Sequence, residues 1–223
     1  MTYGKDIGKK FYEDGTVRHY PGNTVVADIV PGCSAYDVML QLRQMLIDRG
    51  LAQYFVLLPT DSYHMTLIRG LNDQVRTDAY WPASLSKDTP MTQADDYIST
   101  AIEKAGLPGP VRMRFDRVNV SASCCTVRLV PADEAQAQLL QQFRDRAAAA
   151  IGLRLPGHDN YRFHISLGYV RVVPEGTDAQ KLEDLKAKMD VLIAEQPEFT
   201  TTAPYMAYYD DMLAFSPERI PRA

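Results

Sequence analysis

The sequence predicts an α+β fold made of two similar halves, and three observations carry that prediction. Segments with helical period and segments with strand period alternate along the chain. LPGP (107–110) breaks it near the middle. On each side of that break, a glycine that stops a helix is followed at a similar distance by a His-x-Ser/Thr-Leu stretch: His64 comes 14 residues after Gly50, and His164 comes 12 after Gly152. The repeat is one of topology, since the halves share nothing beyond this stretch.

The elements follow in order. Residues 1–22 are polar and rich in Gly, Lys and Asp, a loose lead-in or a hairpin. NTVVADIV (23–30) reads as a strand. Ser34 with Asp37 three residues on predicts a capping box, and Val38, Met39, Leu42, Met45 and Leu46 then share a helical face up to Gly50. YFVLLP (54–59) is an apolar run closed by proline. Thr92 and Asp95 signal a second helix carried by Tyr97, Ile98, Ile102 and Ala105, with Gly106 as its stop.

Beyond the break, Val111, Met113 and Phe115 alternate with Arg112, Arg114 and Asp116, and SCCTVRLVP (123–131) follows; together they predict an antiparallel pair turning near Val120 and Ser121. A third helix covers about 132–151 on Leu139, Leu140, Phe143, Ala147 and Ile151. A fourth starts at Thr177, boxed by Gln180, and runs to about Glu195; YMAYYDDMLAF (205–215) reads as a final strand. The expectation is one domain, 1–223, with halves at about 23–106 and 111–215.

Composition narrows the function. The net charge of −4 argues against tight binding to polynucleotide phosphates, and it leaves room for a small anionic ligand or one nucleic-acid end held by local donors. The three cysteines are odd in number, two are adjacent and none forms a CxxC, so neither a disulfide framework nor a zinc site is indicated. The N-terminus has no apolar stretch of signal-peptide type and no 18-residue apolar run exists, so a cytoplasmic protein is expected.

The two histidine stretches carry the chemistry. In a strand, residues i and i+2 share a face. His64 and Thr66 therefore point one way and Met65 and Leu67 the other; His164 and Ser166 repeat this against Ile165 and Leu167. One such histidine is commonly a satisfied core residue, but a matched pair offers two imidazoles and two hydroxyls on polar faces. Imidazole titrates near neutrality, so one ring can take a proton from water while the other gives one to a leaving oxygen. The hydroxyls can donate to non-bridging oxygens where charge gathers. A phosphodiester suits that set, and a strained cyclic phosphate suits it best.

HMTL (64–67) and HISL (164–167) resemble the paired signatures of the two-histidine (2H) phosphoesterase superfamily, which includes RNA 2′,3′-cyclic phosphodiesterases, also called 2′-5′ RNA ligases. The resemblance implies a bilobal α+β fold of two pseudo-symmetric halves, with antiparallel sheets facing a central cleft and helices outside. It implies that His64 and His164 are the catalytic pair and that Thr66 and Ser166 hold the phosphate. It extends over the whole chain in topology but over only eight residues in motif. The longer lead-in and the 71–91 segment set this chain apart, as a bacterial branch distinct from the RNA ligase proper.

Other candidates are weaker. Arg162 lies two residues before His164, so period two puts it on the polar face as a phosphate donor; Ser62 holds the matching place before His64. Tyr63, Tyr161, Arg69 and Arg171 fall on the opposite face or at strand ends. Residues 71–91 have no periodicity and read as a binding loop or lid, where Tyr80 and Trp81 are candidates for stacking on a base, packing of Trp81 on the core being the competing reading. His158 sits in a turn and is expected to be exposed. No HxH, HExxH or DxH spacing suggests a metal site, and no cofactor is expected. The predicted activity is a metal-independent cyclic phosphodiesterase, acting as a monomer on a small cyclic nucleotide or RNA terminus, with no membrane and no duplex nucleic acid as partner. The alternative is a non-catalytic module that binds a nucleotide or RNA end on the same fold.

Overall fold

A computed structural model describes residues 1–220 of the chain. The elements are β1 (Gly22–Asp28), α1 (Ser34–Asp48), β2 (Phe55–Leu57), β3 (His64–Asn72), α2 (Met91–Ala105), β4 (Arg112–Val120), β5 (Cys124–Pro131), α3 (Glu134–Ile151), β6 (His164–Val170), α4 (Gly176–Ala194), β7 (Phe199–Thr200) and β8 (Tyr205–Tyr209). The fold is α+β, with four helices and an eight-stranded sheet whose pairings are all antiparallel.

The sheet runs β7-β4-β5-β6-β3-β1-β8, and β2 also pairs with β6. Its two parts meet at one residue pair, Met65 with Ile165. Beyond that pair the edge of β6 is taken by β2, while β3 goes on alongside β1. The join therefore lies between the two histidine stretches. All four helices feed one buried cluster with Met65, Leu67, Ile165 and Leu167 at its centre. The apolar alternates of both stretches thus face the helices, and their polar alternates are left to the other side.

Helix starts differ from expectation. Ser34 opens α1 from inside, because Cys33 is its N-cap and no side chain caps it. Likewise α2 begins after Pro90 and α4 after Glu175, without a side-chain cap. A box needs its hydroxyl one position before the first helical residue, and each of these helices begins too early for that. Only α3 has a capping side chain, Asp133, which accepts from the Gln136 N–H.

The tail also departs from a strand running to 215. The strand β8 stops at Tyr209, where Asp211 accepts the Leu213 N–H in a side-chain turn, and Ser216 returns to exchange two backbone hydrogen bonds with Tyr208. This return, together with the lead-in, builds a second apolar cluster of Phe11, Tyr209 and Met212, ringed by Tyr20, Tyr169 and Phe215. That cluster walls the side of the sheet the helices leave uncovered.

Candidate active site

His64 and His164 open β3 and β6 and are held alike. Each Nδ1 lies 2.8 Å from the backbone carbonyl two residues back, that of Ser62 for His64 and that of Arg162 for His164. A carbonyl oxygen only accepts, so Nδ1 carries the proton in each neutral ring and Nε2 is left with its lone pair. Both rings line one cleft of about 530 Å³, together with Thr66 and Ser166. The hydroxyls of Thr66 and Ser166 have no hydrogen-bond partner among the described residues, so both are free to donate.

Electrostatics favours neutral rings in the cleft. Burial pushes His64 down to about 4, with a smaller push from His164, against its hydrogen bond to Ser62. Burial also lowers His164, and the positive charges of Arg128, Arg69 and Lys10 add to that, against the bond to Arg162. Phe215 contributes to the covering of His64, its ring centroid standing 4.3 Å from the imidazole. An anion entering the cleft reverses part of this, since negative charge beside an imidazole favours its protonated form.

Strand register extends the correspondence beyond the motifs. Opposite β1, Val26 pairs with Thr66 and Val25 with Ile68, so Leu67 is an extra, bulged residue. Opposite β5, Thr126 pairs with Ser166 and Cys125 with Gly168, so Leu167 is the same extra residue. A bulge resets the alternation. Past it, Arg69 and Tyr169 share the face of the histidines, and both line the cleft. Their cross-strand partners Thr24 and Cys124 line it too.

A profile of the 2H-phosphodiesterase family, described as a domain of unknown function (DUF1868), matches residues 10–124, just over half the chain. The chain belongs to the 2H-phosphodiesterase family. No curated protein matches it. Among solved structures it is similar to the conserved protein of unknown function ATU0111 from Agrobacterium tumefaciens str. C58, with 26% identity, a TM-score of 0.86 and coverage of 96% of this chain and 91% of that one. A more distant likeness is to E. coli LigT complexed with ATP, at 12% identity and a TM-score of 0.48, covering 89% of this chain and 96% of that one.

The 2H cleft gathers His64, His164, Thr66, Ser166 and Tyr80 from among the residues singled out by sequence. It does not gather Arg162 or Trp81. Arg162 is exposed and does not line the cleft; it serves the site through its carbonyl, which accepts from His164 and from Arg128. Trp81 is 2% exposed and packs in the core, with its indole N–H donating to the Ser86 carbonyl at 3.0 Å and Arg76 stacked on its ring. His158, expected to be exposed, is buried and bonds Asp145 at 2.9 Å.

Further residues of the cleft are not marked by the sequence pattern, Arg69, Tyr161 and Lys10 among them. Strict period two puts Arg69 and Tyr161 off the polar face; the bulge at Leu67 returns Arg69 to it, and Tyr161 precedes β6, where strand parity does not apply. Arg69 forms no ion pair or side-chain hydrogen bond among the described residues. Lys10 comes from the lead-in, whose irregular turns carry no periodic signal. Its ammonium bonds Asp6 at 3.1 Å and lies 4.7 Å from the centre of the Tyr169 ring. Burial works against that charge, but Tyr169, Asp6 and Tyr20 outweigh it, so the pKa of Lys10 is raised. Burial pushes the Cys124 thiol up, so it lines the cleft in its neutral form. Among the described residues no three His, Cys, Asp or Glu side chains cluster as metal ligands, and no helix is long and apolar enough to cross a membrane.

Proposed function

We propose that this protein is a metal-independent cyclic phosphodiesterase that opens a 2′,3′-cyclic or related cyclic phosphate of a nucleotide or RNA end. One observation carries the reading: two imidazoles in the same cleft are each fixed through Nδ1 to a carbonyl, which leaves two Nε2 atoms for proton transfer beside two unengaged hydroxyls. In the reaction, one neutral histidine takes a proton from water at Nε2. The water oxygen bonds to phosphorus while the bond from phosphorus to one sugar oxygen breaks. The other histidine, protonated in the presence of the anionic phosphate, gives its Nε2 proton to that departing oxygen.

Thr66 and Ser166 donate to the non-bridging oxygens, where negative charge concentrates. Arg69 supplies a positive charge that no protein group among the described residues neutralises, and it takes the role that period two gives to Arg162. Tyr80 and Tyr161 bring aromatic rings to the cleft on which a base can stack. The chemistry calls on no metal or cofactor, and a single chain supplies every group it uses.

Hydrolysis of the four nucleoside 2′,3′-cyclic monophosphates in EDTA tests this, with His64→Ala and His164→Ala alongside. Turnover in EDTA is expected, reduced by about 10²–10⁴ in each variant, the size of a general acid or base contribution. Turnover abolished by EDTA in the wild type defeats the metal-free mechanism. Saturable nucleotide binding without turnover points instead to a binding module.

A further inference from the structure

Arg144 is a buried guanidinium that no step above uses. It lies on α3 with 3% of its surface exposed and has no ion pair among the described residues. Asp145 is next to it in sequence, but that carboxylate bonds Arg154 and His158 instead. The Arg144 Nε has no hydrogen-bond partner among the described residues. Burying a charge is costly unless it is paired or hydrogen-bonded, so the acceptors that Arg144 does have must offset that cost.

Its contacts say what it does. Nη1 donates to the carbonyl of Leu67, the bulged residue of β3. Nη2 donates to the carbonyl of His158 at 3.0 Å, in the segment that leads into β6. The guanidinium lies 4.1 Å from the centre of the Tyr161 ring, which walls the cleft. One side chain thus grips the bulge of the first motif strand and the approach to the second. The matching carbonyl at the other bulge, Leu167, needs no such group, because it accepts the backbone N–H of Leu58 at 3.0 Å. The guanidinium does for the first bulge what that backbone N–H does for the second.

We infer that Arg144 is a positioning residue: it locks the Leu67 bulge and so holds Arg69 in the cleft toward the substrate's anionic group. The anion-holding role of Arg69 rests on the proposed function; the locking of the bulge does not. His64 and Thr66 precede the bulge and are held by the Met65–Ile165 pair and the Ser62 carbonyl, so they stay in place when Arg144 is changed.

The test uses Arg144→Met, Arg144→Lys and Arg69→Ala in the full chain. Backbone amide exchange, read by NMR without ligand, should speed up at least about tenfold over residues 68–72 in Arg144→Met and stay within about twofold over 64–66. Unchanged protection at 68–72 overturns the inference, whether or not any cyclic phosphate is turned over. For function, 3′-AMP binding and the KM for a turned-over cyclic nucleotide should each weaken about tenfold, with kcat within about threefold, and the Lys variant should fall between. In the Arg69→Ala background the Arg144 substitution should add less than about twofold. A full, additive loss there would make Arg144 a general structural residue and defeat the proposal. If Arg144→Met fails to fold, Arg144→Lys decides by the same readings. A wild type that neither turns over nor binds nucleotides sinks the proposed function, and amide exchange then decides the role of Arg144 by itself.

Discussion

Leu67 and Leu167 are the same residue in two strands: each is the extra member of a bulge that begins directly after the motif hydroxyl. The coincidence has a use. Up to the bulge, period two keeps histidine and hydroxyl in the cleft and Met65 and Ile165 in the core. Beyond it the parity changes, and Arg69 and Tyr169 join the cleft side.

That parity change puts Arg69, and not Arg162, in the cleft lining, where the proposed reaction places an anion. Replacing Arg69 by Ala should raise KM or a nucleotide Kd about ten- to a hundredfold, the effect of losing a hydrogen bond to a charged group worth roughly 1.5–3 kcal/mol. Arg162→Ala should stay within about twofold, as an exposed substitution does. Steady-state kinetics on the two variants checks this, and the opposite ranking would hand the anion back to Arg162.

Long-range ¹⁵N–¹H NMR correlations should find both cleft histidines, in the ligand-free protein at pH 7, protonated at Nδ1 and bare at Nε2. The carbonyls of Ser62 and Arg162 require that tautomer. A ring protonated at Nε2 instead would not be ready to act as a base toward the cleft.

The lowered pKa of His64 has a consequence for stability. Its folded value of about 4 lies below the ordinary 6.5, so between those pH values the unfolded chain binds a proton there that the folded chain refuses. This group costs nothing above pH 6.5 and destabilises the fold as the pH falls from 6.5 toward 4. The Tm of the wild type should therefore drop more between about pH 7 and about pH 5 than that of His64→Gln. In Phe215→Ala, which uncovers the ring, the His64 pKa measured by NMR titration should move up toward 6.5.

Trp81 offers an optical check, since it is the sole tryptophan. Buried and bonded to the Ser86 carbonyl, it should emit in the blue-shifted range of a buried indole. Saturating nucleotide should leave that emission unmoved, because the ring does not line the cleft. Trp81→Ala should cost about 3–5 kcal/mol in denaturant unfolding, as large buried aromatic truncations do. A ligand-dependent shift in its emission would return Trp81 to the binding surface.

Much of this protein is legible in its chain. Local period marks the helices, most of the strands and the core face of each motif, because apolar spacing is a property of neighbours in sequence. The pair of His-x-Ser/Thr-Leu stretches likewise marks, without coordinates, four side chains that line one cleft. Helix caps are less legible, since a Ser or Thr near a start does not say which residue is first. The places of Arg69, Tyr161, Lys10 and Arg144 are not legible at all, and for Trp81 the sequence leaves core packing and base stacking both open. Arg69 turns on an extra residue that exists only relative to the partner strand β1, and Trp81 on the fit of a loop that has no period of its own. Lys10 and Arg144 come from segments far in sequence from the motifs and meet them only across the folded molecule. The sequence alone thus determined which elements form and which groups can react. The tertiary structure decided which charges and rings surround them, because register, bulges and long-range contacts arise between segments and not within one.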